Sequence, residues 1–141
     1  MRTVHPSPLL RLGLRLDAIL SLAAAAAVPL LLEPLGAALG LDRLHMIALA
    51  GFMFFWAALT GWMGGQARLP TWSLWLSIAV NLEWAVASLL LPALGLFNPS
   101  PIGWAVLVAQ ALAVLVFAEL QWLGLRRSAR ESAPSARAAV A

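Results

Sequence analysis

Four long apolar stretches constrain the fold of this chain more than any other feature. Each approaches or exceeds the roughly 20 residues that an α-helix needs to cross the hydrocarbon core of a bilayer. They cover residues 16–39, 45–64, 71–97 and 102–125. Hydrophobic residues make up 62% of the chain and charged residues 11%, which lies outside the usual balance of soluble domains. The sequence therefore predicts an integral membrane protein in contact with the lipid bilayer.

Short segments that contain Gly, Pro, Asn or Asp separate the four stretches, as expected of turns. They are residues 40–44, 65–70 and 98–101. Connections this short make consecutive helices antiparallel neighbours. We therefore expect an all-α fold, a membrane-embedded up-down-up-down four-helix bundle. No polar stretch is long enough to form a separate soluble domain.

The distribution of arginine predicts the orientation of the bundle. The chain has nine basic residues, all of them arginine, and only Arg43 falls on the side opposite the other eight. The positive-inside rule then places both termini of this multi-pass protein in the cytoplasm. This pattern explains the net charge of +3 without a nucleic-acid partner.

The two ends of the chain lie outside the predicted spans. Residues 1–15 form a cytoplasmic basic N-terminal segment, and residues 126–141 form a disordered cytoplasmic tail rich in Ala, Ser and Arg. The first apolar run continues past Pro29 to Leu39, which is longer than the apolar part of a secretory signal. We therefore expect an uncleaved first helix.

Glu83 is the most informative polar residue, because ionisable side chains at membrane depth are costly and are associated with function. With a rise of about 1.5 Å per residue, it lies roughly 18 Å into the third span, near the centre of the bilayer. Gln110, Trp56 and Trp84 fall at a similar depth, and Asn81 lies close by on the third span. These five residues form the predicted midplane polar layer, a site for a substrate or a proton.

The third span carries a stripe of small and polar side chains at helical spacing. Ser77, Asn81, Trp84 and Ser88 recur on one face, which suits close helix packing. Glu83 points about 200° away from Asn81, so the two side chains face different neighbours. Either Glu83 lines a second interface within the bundle, or the protein associates with another chain as a homodimer or a larger membrane complex.

The remaining acids within or beside the predicted spans have simpler interpretations. Asp17 and Glu119 fall near the cytoplasmic ends of their spans, where we expect ion pairs with arginines or snorkelling arginines nearby. The arginines in reach are Arg11, Arg15 and Arg126. Glu33 lies near His45 at the outer side. A Glu33–His45 hydrogen bond would let protons enter there, and simple solvation at the interface is the alternative.

Metal, cofactor and catalytic sites are not predicted. The chain has no cysteine, and its two histidines, His5 and His45, fall on opposite sides of the membrane. No phosphate-binding loop, metalloprotease motif or nucleophile–histidine set is present. We expect neither a cofactor nor enzymatic activity.

Two classes of function remain. In the first, the protein has a structural or accessory role, and Glu83, Asn81 and Gln110 join helices through hydrogen bonds. In the alternative, it is a proton-coupled carrier of a small lipophilic or cationic substrate. Glu83 then exchanges a proton for a cation that stacks on Trp56 or Trp84. The size is similar to that of the small multidrug resistance transporters, but the glutamate motif of their first helix is absent. We favour the first class.

Three segments carry a resemblance that extends over most of the chain. They are residues 14–18 (LRLDA), 81–88 (NLEWAVAS) and 121–127 (QWLGLRR). In these segments the chain resembles an uncharacterised family of small four-span bacterial integral membrane proteins. The resemblance implies the four-span topology in a bacterial inner membrane and no particular activity.

Overall fold

The computed structural model describes residues 3–131 and contains five helices and one pair of very short strands. In chain order the elements are β1 (Thr3–Val4), α1 (Pro8–Leu30), α2 (Leu32–Leu39), α3 (Arg43–Gly65), β2 (Leu69–Pro70), α4 (Thr71–Ala93) and α5 (Pro101–Glu131). Helices α1, α3, α4 and α5 are each long and apolar enough to cross a membrane. The predicted all-α fold with four spans is confirmed.

The first helix begins earlier than the apolar pattern predicts. Ser7 caps α1, because its hydroxyl accepts a hydrogen bond from the backbone N–H of Leu10. Pro8 occupies the first helical turn, where its missing N–H costs nothing. The predicted N-terminal segment 1–15 is therefore helical from Pro8 onward. The earlier start also places each residue of α1 further along the helix than the apolar pattern predicts.

The predicted first span is broken near its far end. The backbone leaves the helical region at Leu31 (φ −117°, ψ 27°), between α1 and α2. Pro34 explains the break, because it has no N–H to donate to the carbonyl of Leu30 and its ring clashes with that carbonyl. The stretch 16–39 is therefore two helices.

The last helix continues beyond the predicted span. Helix α5 extends to Glu131, so the first part of the predicted tail 126–141 is helical. Residues 132–141, the rest of that tail, lie outside the described residues.

The four spans do not pack as a closed square. Helix α1 packs closely against α3 and α5, and α5 packs closely against α4. Helices α3 and α4 are consecutive in sequence, yet they approach each other mainly through large side chains. A groove therefore runs between α3 and α4, and we call it the α3/α4 groove.

One end of the bundle gathers β1, the α3–α4 connection and the end of α5. Strands β1 and β2 pair in antiparallel fashion, with Thr3 opposite Pro70. The backbone N–H of Ser7 donates to the Ser128 hydroxyl, and the Ser7 hydroxyl donates to the carbonyl of Gly124, both at 2.9 Å. We call this the arginine-rich end, because it carries all the described arginines except Arg43.

Two buried apolar clusters occupy the two ends of the bundle. The cluster at the arginine-rich end consists of Val4, Leu10, Leu14, Met63, Leu69, Leu74, Ile78, Ala118 and Leu125. The cluster at the opposite end has Val28, Leu39, Met46 and Leu107 as its buried members. Much of the outer surface is also apolar, as lipid contact requires. Buried Asp17 and Asn81 lie between the two clusters, whereas buried Ser7 and Ser128 lie at the arginine-rich end.

Candidate functional site

Asp17 is the centre of the buried polar layer. It lies nine residues into α1, about 14 Å along the helix, and is 2% exposed. The side-chain amide of Asn81 on α4 donates to its Oδ2 at 2.9 Å, and the indole Nε1 of Trp56 on α3 donates to its Oδ1 at 3.2 Å. Two of the predicted midplane residues therefore converge, and they converge on an acid that the sequence pattern places near the membrane surface.

Two further donors complete the surroundings of this carboxylate. Gln121 on α5 donates to Oδ2 at 3.0 Å, and Ser21 on α1 donates to Oδ1 at 3.3 Å. The Ser77 hydroxyl on α4 donates to the Gln121 side-chain oxygen at 2.8 Å and so fixes the orientation of that amide. Asp17 thus bonds directly to groups on all four spanning helices.

The expected ion pair between Asp17 and an arginine is absent. Within residues 3–131 the only ion pair joins His45 and Asp42, and it lies far from Asp17. Arg15, two positions earlier on α1, is turned about 200° away from Asp17, and Arg11 donates to the carbonyl of Gly64 instead. All four partners of the carboxylate are neutral donors, and a tryptophan indole can only donate. This arrangement satisfies the lone pairs of an ionised carboxylate but supplies no positive charge.

Trp84 and Gln110, two other predicted midplane residues, form a second pair. The indole Nε1 of Trp84 donates to the Gln110 side-chain oxygen at 2.9 Å and so joins α4 to α5. The ring of Phe52 lies between those of Trp56 and Trp84, with centroid distances of 6.2 Å and 5.1 Å and an angle of 12° in each case. These three rings bridge α3 and α4.

The aromatic rings and Asp17 line a cavity of about 100 Å³ in the α3/α4 groove, which we call the polar cavity. A larger, almost wholly apolar cavity of about 460 Å³ extends from it toward the opposite end of the bundle. We call this second space the apolar cavity. Ala24, Met53, Trp84 and Gln110 line both spaces, so the two are adjacent parts of one groove. Among the described residues, Asp17 is the only ionisable one that lines either of them.

Glu83 lies apart from this site. The residue is exposed on the outer face of α4, whereas Asn81 is buried, which agrees with the 200° separation expected from helical periodicity. It lines neither the polar cavity nor the apolar cavity. Within the part of the chain that the structure describes, no hydrogen bond or ion pair involves its carboxyl. Its predicted functional role stays a prediction.

The predicted contact between Glu33 and His45 is replaced by another. The Nδ1 atom of His45 lies 2.8 Å from Oδ1 of Asp42, and both side chains are exposed. Asp42 caps α3, and its carboxylate accepts the backbone N–H of His45 at 2.9 Å. Helical geometry therefore places His45 beside Asp42 rather than beside Glu33. The role of Glu33 in admitting protons stays a prediction.

Asp42 gives a testable pH dependence. The hydrogen bond from the backbone N–H of His45 holds the pKa of Asp42 below its ordinary value. A lowered folded-state pKa means that the cap stabilises α3 above the unfolded-state pKa, and that this stabilisation is lost as the pH falls through the folded-state pKa. We expect the amide resonance of His45 to move over that acidic range. In Asp42→Asn, which keeps a capping oxygen, the movement should disappear. Persistence of the movement in that variant would contradict the assignment.

The polar stripe on α4 is a sequence signal for the Asp17 site. The stripe does face inward, with Ser77 and Asn81 buried and Trp84 and Ser88 half-buried. A buried Asn requires a partner at its own depth, and Asp17 provides one. No sequence pattern marks Gln121, which completes the same network.

The chain was compared with models of known protein families, with curated proteins and with solved structures, and none of them matches. The four spans that the sequence resemblance implies are confirmed by the structure. The family and the bacterial origin stay predictions.

Proposed function

We propose that this protein has a structural or accessory role in a bacterial inner membrane, and that the face of α4 around Glu83 binds a second copy of the chain. A single observation carries the proposal. Glu83 lies about 18 Å along α4, near mid-span, and is exposed on the outside of the bundle. Ionisable residues at that depth almost always face a bundle interior or a water-filled cavity. Association with a second copy of the chain buries Glu83 between helices and so removes it from lipid.

A second copy suits this carboxyl better than an apolar partner does. A neutral carboxyl has one donor and retains acceptor capacity, so two such groups satisfy each other. In a dimer with its two-fold axis normal to the membrane, the two Glu83 side chains meet at the same depth. Ala79, one turn earlier on the same exposed face, leaves room for the helices to approach.

The orientation of the proposed assembly follows from charge. The structure gathers Arg11, Arg15, Arg68 and the arginines of α5 at the arginine-rich end. The positive-inside rule supports the assignment of this end, with both termini, to the cytoplasm.

The alternative of a proton-coupled carrier that uses Glu83 has less support from the geometry. A carrier residue has to reach its substrate, and Glu83 lines neither the polar cavity nor the apolar cavity of the α3/α4 groove. The aromatic rings that would hold a cation, Trp56 and Trp84, lie beside Asp17 instead.

Cross-linking tests the dimer, and the absence of native cysteine makes the experiment direct. We expect Ala79→Cys to be linked into dimers by a short bismaleimide in lipid vesicles. Phe54→Cys, at a similar depth on the exposed face of α3, serves as the control and should stay monomeric. Adding Glu83→Leu should lower the yield from Ala79→Cys by about three- to tenfold, since one polar contact in a membrane is worth about 1 kcal/mol.

Glu83→Gln separates hydrogen bonding from charge. A side-chain amide also donates and accepts, so this variant should retain most of the cross-linking. Equal yields from Ala79→Cys with and without the Glu83→Leu substitution would refute the proposed interface.

A further inference from the structure

We infer that the α3/α4 groove binds a lipophilic monocation, a hydrophobic amine or quaternary ammonium that carries no phosphate. Its charged head lies in the polar cavity beside Asp17, and its apolar body lies in the apolar cavity. The inference goes beyond the structural role proposed above and does not depend on Glu83.

The shape of the groove matches an amphiphile. The apolar cavity, at about 460 Å³, falls within the range of roughly 300–1,000 Å³ that is typical of small-molecule sites. Its lining is almost entirely aliphatic and aromatic. The polar cavity is smaller, at about 100 Å³, and directly adjoins it. The polar cavity therefore accommodates a compact polar head, and the adjoining apolar cavity accommodates a larger apolar body.

Charge complementarity decides the sign of the charge on the ligand. Of the residues that the structure describes, Asp17 is the only ionisable one lining the groove, and its four hydrogen-bond donors are all neutral. Within residues 3–131 no arginine or histidine forms an ion pair with it. An opposite charge is worth more in a medium of low dielectric constant than in water, so a cation is the favoured occupant.

The surrounding aromatic rings reinforce this preference. Trp56 and Trp84 both line the polar cavity, and indole rings attract cations within about 6 Å of their centroids. The hydrogen bonds from Trp56 to Asp17 and from Trp84 to Gln110 hold the two rings in place. A quaternary ammonium has no N–H, so it binds through these rings and the carboxylate without competing with the four donors for the carboxylate oxygens.

The same lining disfavours phospholipids. A phosphate lies within a few bonds of the ammonium in a choline or ethanolamine headgroup. No Arg, Lys or His of the described chain lines either cavity, so the phosphate would be buried without a positive partner. The polar cavity also begins about 14 Å along α1, at Asp17, rather than at the start of the helix. These observations favour a lipophilic cation over a membrane lipid.

Decyltrimethylammonium is the probe that we would use, with the full-length protein in nanodiscs of zwitterionic lipid. The seven tryptophans give indole N–H resonances, and Trp→Phe variants assign those of Trp56 and Trp84. We expect saturable shifts of these two resonances. An uncharged tert-butyl analogue and a phosphocholine with the same chain should shift them far less. Equal shifts with all three compounds would overturn the inference, because partition into lipid would explain them.

Two variants test the site directly. Asp17→Asn should weaken binding of the probe by about tenfold or more, since it removes the charge that faces the groove. Because Asp17 also supports the fold, a second variant tests the groove without changing the hydrogen bonds of Asp17. Ala24→Leu fills the boundary between the two cavities and should abolish binding. Ala23→Leu, on the exposed face of α1, is the matched control and should bind normally. Equal binding by these two alanine variants would exclude the groove as the site.

Discussion

Replacing Asp17 with leucine is expected to lower the free energy of unfolding by about 2–4 kcal/mol. The substitution removes the common acceptor of four side-chain hydrogen bonds and leaves their donors without an acceptor inside the bundle. Single interhelical hydrogen bonds in membrane proteins average about 0.6 kcal/mol and reach about 1.7 kcal/mol. Three interhelical hydrogen bonds, together with the one from Ser21 within α1, account for the expected loss. Reversible unfolding in mixed micelles with increasing dodecyl sulfate, followed by tryptophan fluorescence, measures it.

Two companion variants show whether the loss comes from the network. Asp17→Asn keeps one acceptor oxygen and should cost about half as much, because the amide of Asn81 can turn to accept. Asn81→Leu should be destabilising alone and nearly neutral in the Asp17→Leu background, because its partner is then already gone. Strictly additive losses would show that Asp17 and Asn81 act independently and would contradict the network.

The spans themselves are predictable because they depend on local properties of the chain. The apolar stretches predict the bounds of α3 and α4 closely, since each helix is continuous and is flanked by turns. Helical periodicity also separates Asn81 from Glu83 correctly, because a rotation of 100° per residue does not depend on neighbouring helices. The inward position of the α4 stripe follows from the same argument.

The hydrogen-bond network of Asp17 is harder to predict, because it depends on the relative depths of residues on four different helices. Counting from residue 16 leaves Asp17 at the membrane surface, whereas counting from the observed start at Pro8 places it about 14 Å along the helix. The Ser7–Pro8 pair is a helix start signal that corrects the depth. The contact of Asp17 with Gln121 depends on the mutual rotation of α1 and α5, which no local pattern specifies.

The open groove has a physical origin in residue size. Helices α1 and α5 approach closely because glycine lies at their crossing, whereas Phe52, Trp56 and Trp84 fill the space between α3 and α4. Large rings in a flat stack hold two helices apart without filling the volume above and below them. The same residues that bring α3 and α4 into contact therefore leave the cavities that border Asp17.

The close crossing of α1 and α5 leads to the second large effect. Gly124→Ala should destabilise the bundle by about 1–3 kcal/mol, the usual cost of overpacking. A Cβ atom at this position would lie 2.5 Å from both the Cα and the backbone N of Leu10. Because these atoms belong to the main chain, α1 and α5 have to separate. That separation also weakens the hydrogen bond from Ser7 to the Gly124 carbonyl.

Gly51→Ala is the matched control for this effect. Gly51 lies within α3, and a Cβ atom there would meet nothing within 4 Å. Alanine is favoured over glycine in a helix by up to about 1 kcal/mol, so this variant should be neutral or slightly stabilised. Leu10→Ala should fail to rescue Gly124→Ala, since truncating the side chain of Leu10 leaves its backbone in place. Full rescue, or equal stability of the two glycine variants in the dodecyl sulfate titration, would show that helix separation is not the cause.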